Sequence, residues 1–117
     1  MKLSQLRESV NAFAQDRDWD QFHSVRNLIL ALVGEVGELA EIVQWTSDDK
    51  IDELLKSGGR ERLAQELADV LIYLVQVADK SGVDLGNAVS EKLADNDAKY
   101  PRDKARGNAK KYTELRD

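Results

Sequence analysis

The sequence predicts an all-α protein, a four-helix bundle. Three observations predict it. Apolar residues recur at three- and four-residue intervals in four separate stretches, as they do in amphipathic helices. Proline occurs once, at Pro101, so little in the chain forbids helix. The rest is rich in Leu, Ala, Glu and Lys, all strong helix formers.

Leu3, Leu6, Val10 and Phe13 define a first amphipathic helix over about residues 3–16, broken by the polar run Asp16-Arg17-Asp18. Ser24 is a suitable N-cap for a second helix, about 24–45, with Val25, Leu28, Leu32, Val36, Leu39 and Val43 facing inward. Residues 46–60 form a linker with one helical turn at 51–55, ended by Gly58-Gly59. A third helix follows, about 61–80, with Leu63, Leu67, Val70, Leu71, Leu74 and Ala78 inward and Gly82 at its C-terminal cap. Asp84 caps a fourth, about 85–99, which Pro101 stops. The stretch 102–117 is a basic C-terminal arm of the same domain, whose body is 1–101. Leu30, Val33 and Ala40 widen the apolar surface of the second helix beyond one stripe. Either they contact the first helix or they face another copy of the chain.

A length of 117 residues supports one domain with a modest core. With 42% hydrophobic and 33% charged residues the chain has the balance of a globular protein. Its net charge of −5 argues against a nucleic-acid polymer as partner, and no polybasic segment favours a membrane surface. Cysteine is absent, which excludes a disulfide, a thiolate nucleophile and a Cys-ligated metal, and agrees with a cytoplasmic location. The start MKLSQLRESV lacks the apolar core of a signal peptide, and the apolar runs 28–33 and 70–75 are far too short to span a membrane.

Two acidic pairs at i, i+3 spacing interrupt the most apolar stretches: Glu35 with Glu38, and Glu66 with Asp69. At 100° per residue, Glu35 falls about 20° from Leu28 and Glu38 about 80° to the same side. Glu66 falls about 60° and Asp69 about 120° from Leu63, again on one flank. An antiparallel pair of helices can bring the two flanks together. Carboxylates converging at about 4 Å repel by roughly 4 kcal/mol per pair at an effective dielectric of 20, so such a cluster needs protons or a cation. Oxygen donors favour magnesium first and manganese second. Zinc would recruit His or Cys, and the chain's one histidine, His23, is too few for a Glu-x-x-His di-iron site. The plain alternative is that the four acids face solvent and pair with Lys or Arg.

Lys92, Asn96 and Lys99 share one face of the fourth helix, followed by Tyr100 and Arg102; they form either a phosphate-binding face or an ordinary solvated one. Trp19 and Trp45, near the two ends of the second helix, either stack on a nucleobase or belong to the core. His23 can cap, pack or touch a base. Tyr73 lies on the carboxylate flank.

The ordered set of motifs resembles the MazG-like family of all-α nucleoside triphosphate pyrophosphohydrolases, and within it the dCTP pyrophosphatase branch. It is carried by RDWDQFH at 17–23, RNLILALVGEVGELAEIVQW at 26–45, ELADVLIYLV at 66–75, VDLGNAV at 83–89, Lys92, Asn96, KYP at 99–101 and KYTEL at 111–115, with 27 residues separating the two acidic motifs. The resemblance implies that Glu35, Glu38, Glu66 and Asp69 are magnesium ligands and catalytic. It implies that Asn96 and Lys99 hold phosphate or sugar, and that Trp19, Trp45 and Tyr73 shape the base pocket. It also implies cleavage of a deoxynucleoside triphosphate between the α and β phosphates, a preference for cytosine, and dimers or dimers of dimers that complete each other's pockets. Position 10 is Val where close mammalian members carry a polar residue bordering the pocket, and the 46–60 linker is shorter than theirs, which puts the cytosine preference in question. Glu38 is the expected proton acceptor for the attacking water. The rival readings are a non-catalytic helical module that binds a basic partner, and the same chemistry on dUTP or on many nucleotides.

Overall fold

The computed structural model describes residues 1–115, and these contain helices and turns but no strand. Helix α1 spans Leu3–Asp16. Helix α2 spans Val25–Val43, and the Ser24 hydroxyl accepts the Asn27 backbone N–H at 3.0 Å, as its cap position predicts. It stops two residues short of the expected end, where the Thr46 N–H turns back to the Val43 carbonyl at 3.0 Å. A single turn, α3, covers Ile51–Leu54.

The corner that follows depends on two glycines for different reasons. Gly58 has φ +98°, in the left-handed region. Gly59 approaches so closely that a Cβ there would collide with the Leu54 carbonyl oxygen. Helix α4, Arg60–Ser81, then runs to Gly82, whose φ of +71° lets the Val83 N–H reach the Ala78 carbonyl at 2.9 Å. Helix α5 spans Leu85–Lys99, capped by the Asp84 carboxylate on the Asn87 N–H at 3.1 Å. After Pro101 comes one more turn, α6, Arg102–Ala105.

The chain forms two compact units, residues 1–83 and residues from 84 onward. In the first, α4 packs against both α2 and α1, with α2 its larger partner. The core holds Val10, Ala14, Leu28, Ile42, Val75 and Ala78. Leu28, at 2% exposure, is the most completely buried large side chain. Burial of a leucine contributes about 2 kcal/mol.

The inward stripes differ from those the sequence predicts. On α2, Leu28 and Ile42 are buried and Leu32 and Leu39 half-buried, whereas Val25, Val36 and Val43 are exposed. On α4, Leu63 and Val70 are half-buried and Val75 and Ala78 buried, whereas Leu67, Leu71 and Leu74 are exposed. The reason is that these helices carry more apolar stripes than they have neighbours in the chain. Leu30 and Val33, 54% and 63% exposed, find no cover on α1. Among the described residues no helix is long and apolar enough to cross a membrane.

Candidate active site

The true seam of α2 runs from Leu28 to Ile42, and Glu35 stands midway, seven residues from each. Seven residues are nearly two full turns, so the three share one face. Glu66 likewise stands in the α4 seam between the half-buried Leu63 and Val70. A carboxylate is thus set into each of the two apolar faces that α2 and α4 press together. Glu38, one turn beyond Glu35, is exposed at the rim. Oxygen atoms of Glu35, Glu38 and Glu66 all lie within 4.8 Å of one another.

Glu35 Oε2 and Glu66 Oε2 are buried and accept no hydrogen bond. The ion pairs of Arg7, Lys50 and Lys80 go elsewhere, to Asp79, Glu53 and Asp20. Among the described residues no Lys or Arg ion pair reaches Glu35, Glu38 or Glu66. Desolvation first, then a proton shared with Glu38, then the charges of Glu38, Asp69 and Glu66 raise the Glu35 pKa from its ordinary 4.5 to about 7. Glu66 is also raised, by desolvation first and then by Glu38 and Asp69, while a hydrogen bond from Glu35 works against the shift. Asp69 is not one of the three converging carboxylates. It is exposed, its charge acts on both half-buried acids, and it borders the adjoining groove beside Glu35.

That groove, about 490 Å³, runs along α4 and is walled by α1. From α1 it takes Leu6, Val10 and Phe13; from the α1–α2 connection, Trp19 and His23; from α4, Asp69, Tyr73 and Gln76. Trp19 is held edge-on by Phe13, with ring centroids 5.7 Å apart and planes at 69°. The Arg17 guanidinium lies over the Phe13 ring at 3.6 Å from its centroid. Asp18 at φ 52° turns the chain between them, and its carboxylate and carbonyl both accept from the Gln21 side-chain amide at 3.0 Å.

The structure thus brings Trp19, His23 and Tyr73 into one groove that begins at Glu35 and Asp69. Trp45 is not among its walls; it lies past the end of α2 and is 89% exposed. Lys92, Asn96, Lys99, Tyr100 and Arg102 belong to the second unit. There the Lys99 ammonium sits 5.1 Å from the Tyr112 ring centroid, and Tyr100 meets Tyr112 edge-on at 6.4 Å. Lys99, Lys104 and Tyr112 line a cleft of about 350 Å³ in that unit. Sequence reasoning gave Phe13 to the core and passed over Gln76. The signal for Gln76 was its position, seven residues after Asp69 and so on the same face of α4.

An all-oxygen set of three carboxylates, two with orphaned buried oxygens, fits a hard divalent cation. It is set between two packed helices of a small all-α chain, beside an aromatic groove. The chain belongs to the MazG-like family, whose model matches residues 31–115. The dCTP pyrophosphatase 1 proteins of Homo sapiens and Rattus norvegicus are 51% and 50% identical to it, over 97% of this chain and 67% of their own lengths. A crystal structure of a pyrophosphatase from Archaeoglobus fulgidus superposes with a TM-score of 0.79 at 36% identity, covering 84% of this chain and 91% of that one.

Proposed function

We propose that this chain is a magnesium-dependent nucleoside triphosphate pyrophosphohydrolase. Its substrate in this reading is dCTP or a 5-substituted dCTP, cut between the α and β phosphates to the monophosphate and pyrophosphate. Its relatives are named dCTP pyrophosphatase 1 and its structural neighbour is named a pyrophosphatase, which supports a nucleotide pyrophosphohydrolase activity. The observation that carries the rest is the convergence of Glu35, Glu38 and Glu66 at the mouth of an aromatic groove.

Glu35, Glu38 and Glu66, with Asp69 beside them, would hold magnesium, or manganese in its place. The ion supplies charge neutralisation, without which a triphosphate carrying about four negative charges is repelled from the acids. Glu38 is exposed at the rim and can take the proton from a water aimed at the α phosphorus. As the water oxygen bonds to that phosphorus, the bond to the bridging oxygen breaks and pyrophosphate leaves with the electron pair. Trp19 and Tyr73 flank the base and sugar along the groove. The assignment of Asn96 and Lys99 to phosphate or sugar and of Trp45 to the base pocket rests on the family resemblance; that of Lys92, Tyr100 and Arg102 rests on their places along and just after one face of α5, and that of His23 to the base on its place in the groove.

The same reading includes a homodimer or dimer of dimers, supported by the bare apolar faces of α2 and α4, and a cytoplasmic location, where nucleoside triphosphates are found. Neither a nucleic-acid polymer nor a membrane is a partner in it. A module that merely bound a basic protein would have no need of an aromatic groove next to its acids.

The test is Glu38→Gln and Asp69→Asn, assayed by pyrophosphate release from a nucleotide panel with magnesium. Both variants are expected to lose hydrolysis by at least about a hundredfold while the helical circular dichroism is unchanged; both positions are exposed and carry no part of the core. Wild-type rates in either variant would refute the assignment.

A further inference from the structure

Resting on the reading of the groove as a base site, we infer that Gln76 is the residue that reads the base. Its amide, fixed by His23, selects a base with an amino group at the edge farthest from the sugar. Three observations converge. Asp69, Tyr73 and Gln76 line the groove from one face of α4, so Asp69 and Gln76 lie seven residues, or about 10 Å, apart along the axis. That is the scale of a nucleotide from its α phosphate to the far edge of its base. With the phosphates at the acids and the ring beside Trp19 and Tyr73, the far edge comes to Gln76.

The second observation is orientation. The Gln76 Nε2 lies 3.4 Å from His23 Nδ1, and both side chains are half-buried. In that pairing the amide donates and the imidazole nitrogen accepts, which places the imidazole proton on Nε2. The amide donor is thereby engaged, and Gln76 Oε1, which accepts no hydrogen bond from the described residues, is the end left to face a ligand. The third observation is the poverty of the surroundings. Most of the groove's other walls are apolar or aromatic, among them Val10, Phe13, Ala14, Ile72 and Trp19, with hydroxyls from Ser9 and Tyr73; Gln76 also borders a smaller cavity with Asn11, Gln15, Asp79 and Lys80. A fixed amide acceptor on a mostly apolar wall binds the exocyclic amine of cytosine and repels the carbonyl oxygen that uracil and thymine carry at the same place.

His23 is in this account a positioning residue. Without it the amide is free to turn and donate to a carbonyl, so its loss should improve use of the wrong base, an effect that mere damage to the fold does not produce.

The experiment measures kcat and KM for dCTP and dUTP on the full chain with magnesium, together with calorimetric binding of dCMP and dUMP. Wild type is expected to favour the amino base in both assays. Gln76→Ala should reduce the dCTP-to-dUTP ratio of kcat/KM by about tenfold or more, the loss falling in KM while kcat for dCTP stays within a few-fold. Gln76→Glu, which keeps an acceptor, should retain the preference. His23→Ala should narrow the ratio by raising kcat/KM for dUTP. An unchanged ratio in Gln76→Ala, or a wild-type preference for dUTP, overturns the inference while leaving the hydrolase reading intact. Absent hydrolysis with dCMP still bound more tightly than dUMP, and that preference lost in Gln76→Ala, overturns the hydrolase reading and upholds this one.

Discussion

Replacing Glu35 by Gln should make the metal-free protein more stable at pH 8 and abolish its response to magnesium. The side chain keeps its shape, and its new amide can donate to Glu38 or Glu66, whose oxygens are within 4.8 Å. One charge leaves the cluster. At that separation, repulsion between Glu35 and Glu38 alone comes to about 1 kcal/mol at the dielectric of water and about 3.5 kcal/mol at 20. Glu38 is exposed, so the lower figure applies, and about 1 kcal/mol corresponds to roughly 4 °C in Tm for a chain of this size.

The sign with pH follows from linkage. Glu35 titrates near 7 in the folded chain against 4.5 ordinarily, so between those values the native state binds more protons than the unfolded one. Wild-type stability contributed by this group therefore falls as pH rises from about 4.5 to 7, and the penalty is complete above 7. The variant lacks that slope. Melting curves at pH 5 and pH 8, at one protein concentration and with a chelator present, should show near-equality at the lower pH and the variant ahead at the higher. Magnesium at ten times its Kd should then stabilise wild type by about 1.4 kcal/mol and the variant hardly at all. A variant less stable than wild type at pH 8, or an advantage that does not change with pH, would show that the cluster is not a repulsive, cation-seeking one.

Two further outcomes are expected. Gly59→Ala should destabilise the chain by about 1–3 kcal/mol in denaturant melts, because its Cβ meets the Leu54 carbonyl; Gly37→Ala, where a Cβ meets nothing within 4 Å, should not destabilise the single chain. Joint replacement of Leu30 and Val33 by Lys should lower the sedimentation coefficient toward that of a monomer while leaving helix content unchanged, since both project from α2 without cover in the chain.

The helices were legible because their ends are written locally. Ser24 and Asp84 cap, Gly82 takes the left-handed turn and Pro101 stops α5, and none of these depends on the tertiary fold. Which stripe turns inward was not legible. Val36 and Ile42 are equally apolar, and only the presence of α4 on one side decides that Ile42 is buried and Val36 bare. The acids were found because like charges at i, i+3 within apolar runs are conspicuous. Helix angles already put Glu35 close to the seam; the packing adds that Glu66, expected on a flank, also stands on the line of contact. Gln76 and Phe13 escaped for the opposite reason: one amide and one phenyl ring have no signature until a groove gives them neighbours.

A single uninterrupted helix carries both Asp69 and Gln76, and this limits how the protein can vary. Lengthening α4 by one residue anywhere between them would swing the far end of the groove round by about 100° and move it by about 1.5 Å. Acid and amide could no longer address the same small molecule. Changes of substrate in this scaffold must therefore arise by exchanging side chains in place, whereas the loops on either side of α4 are free to grow or shrink without disturbing that alignment.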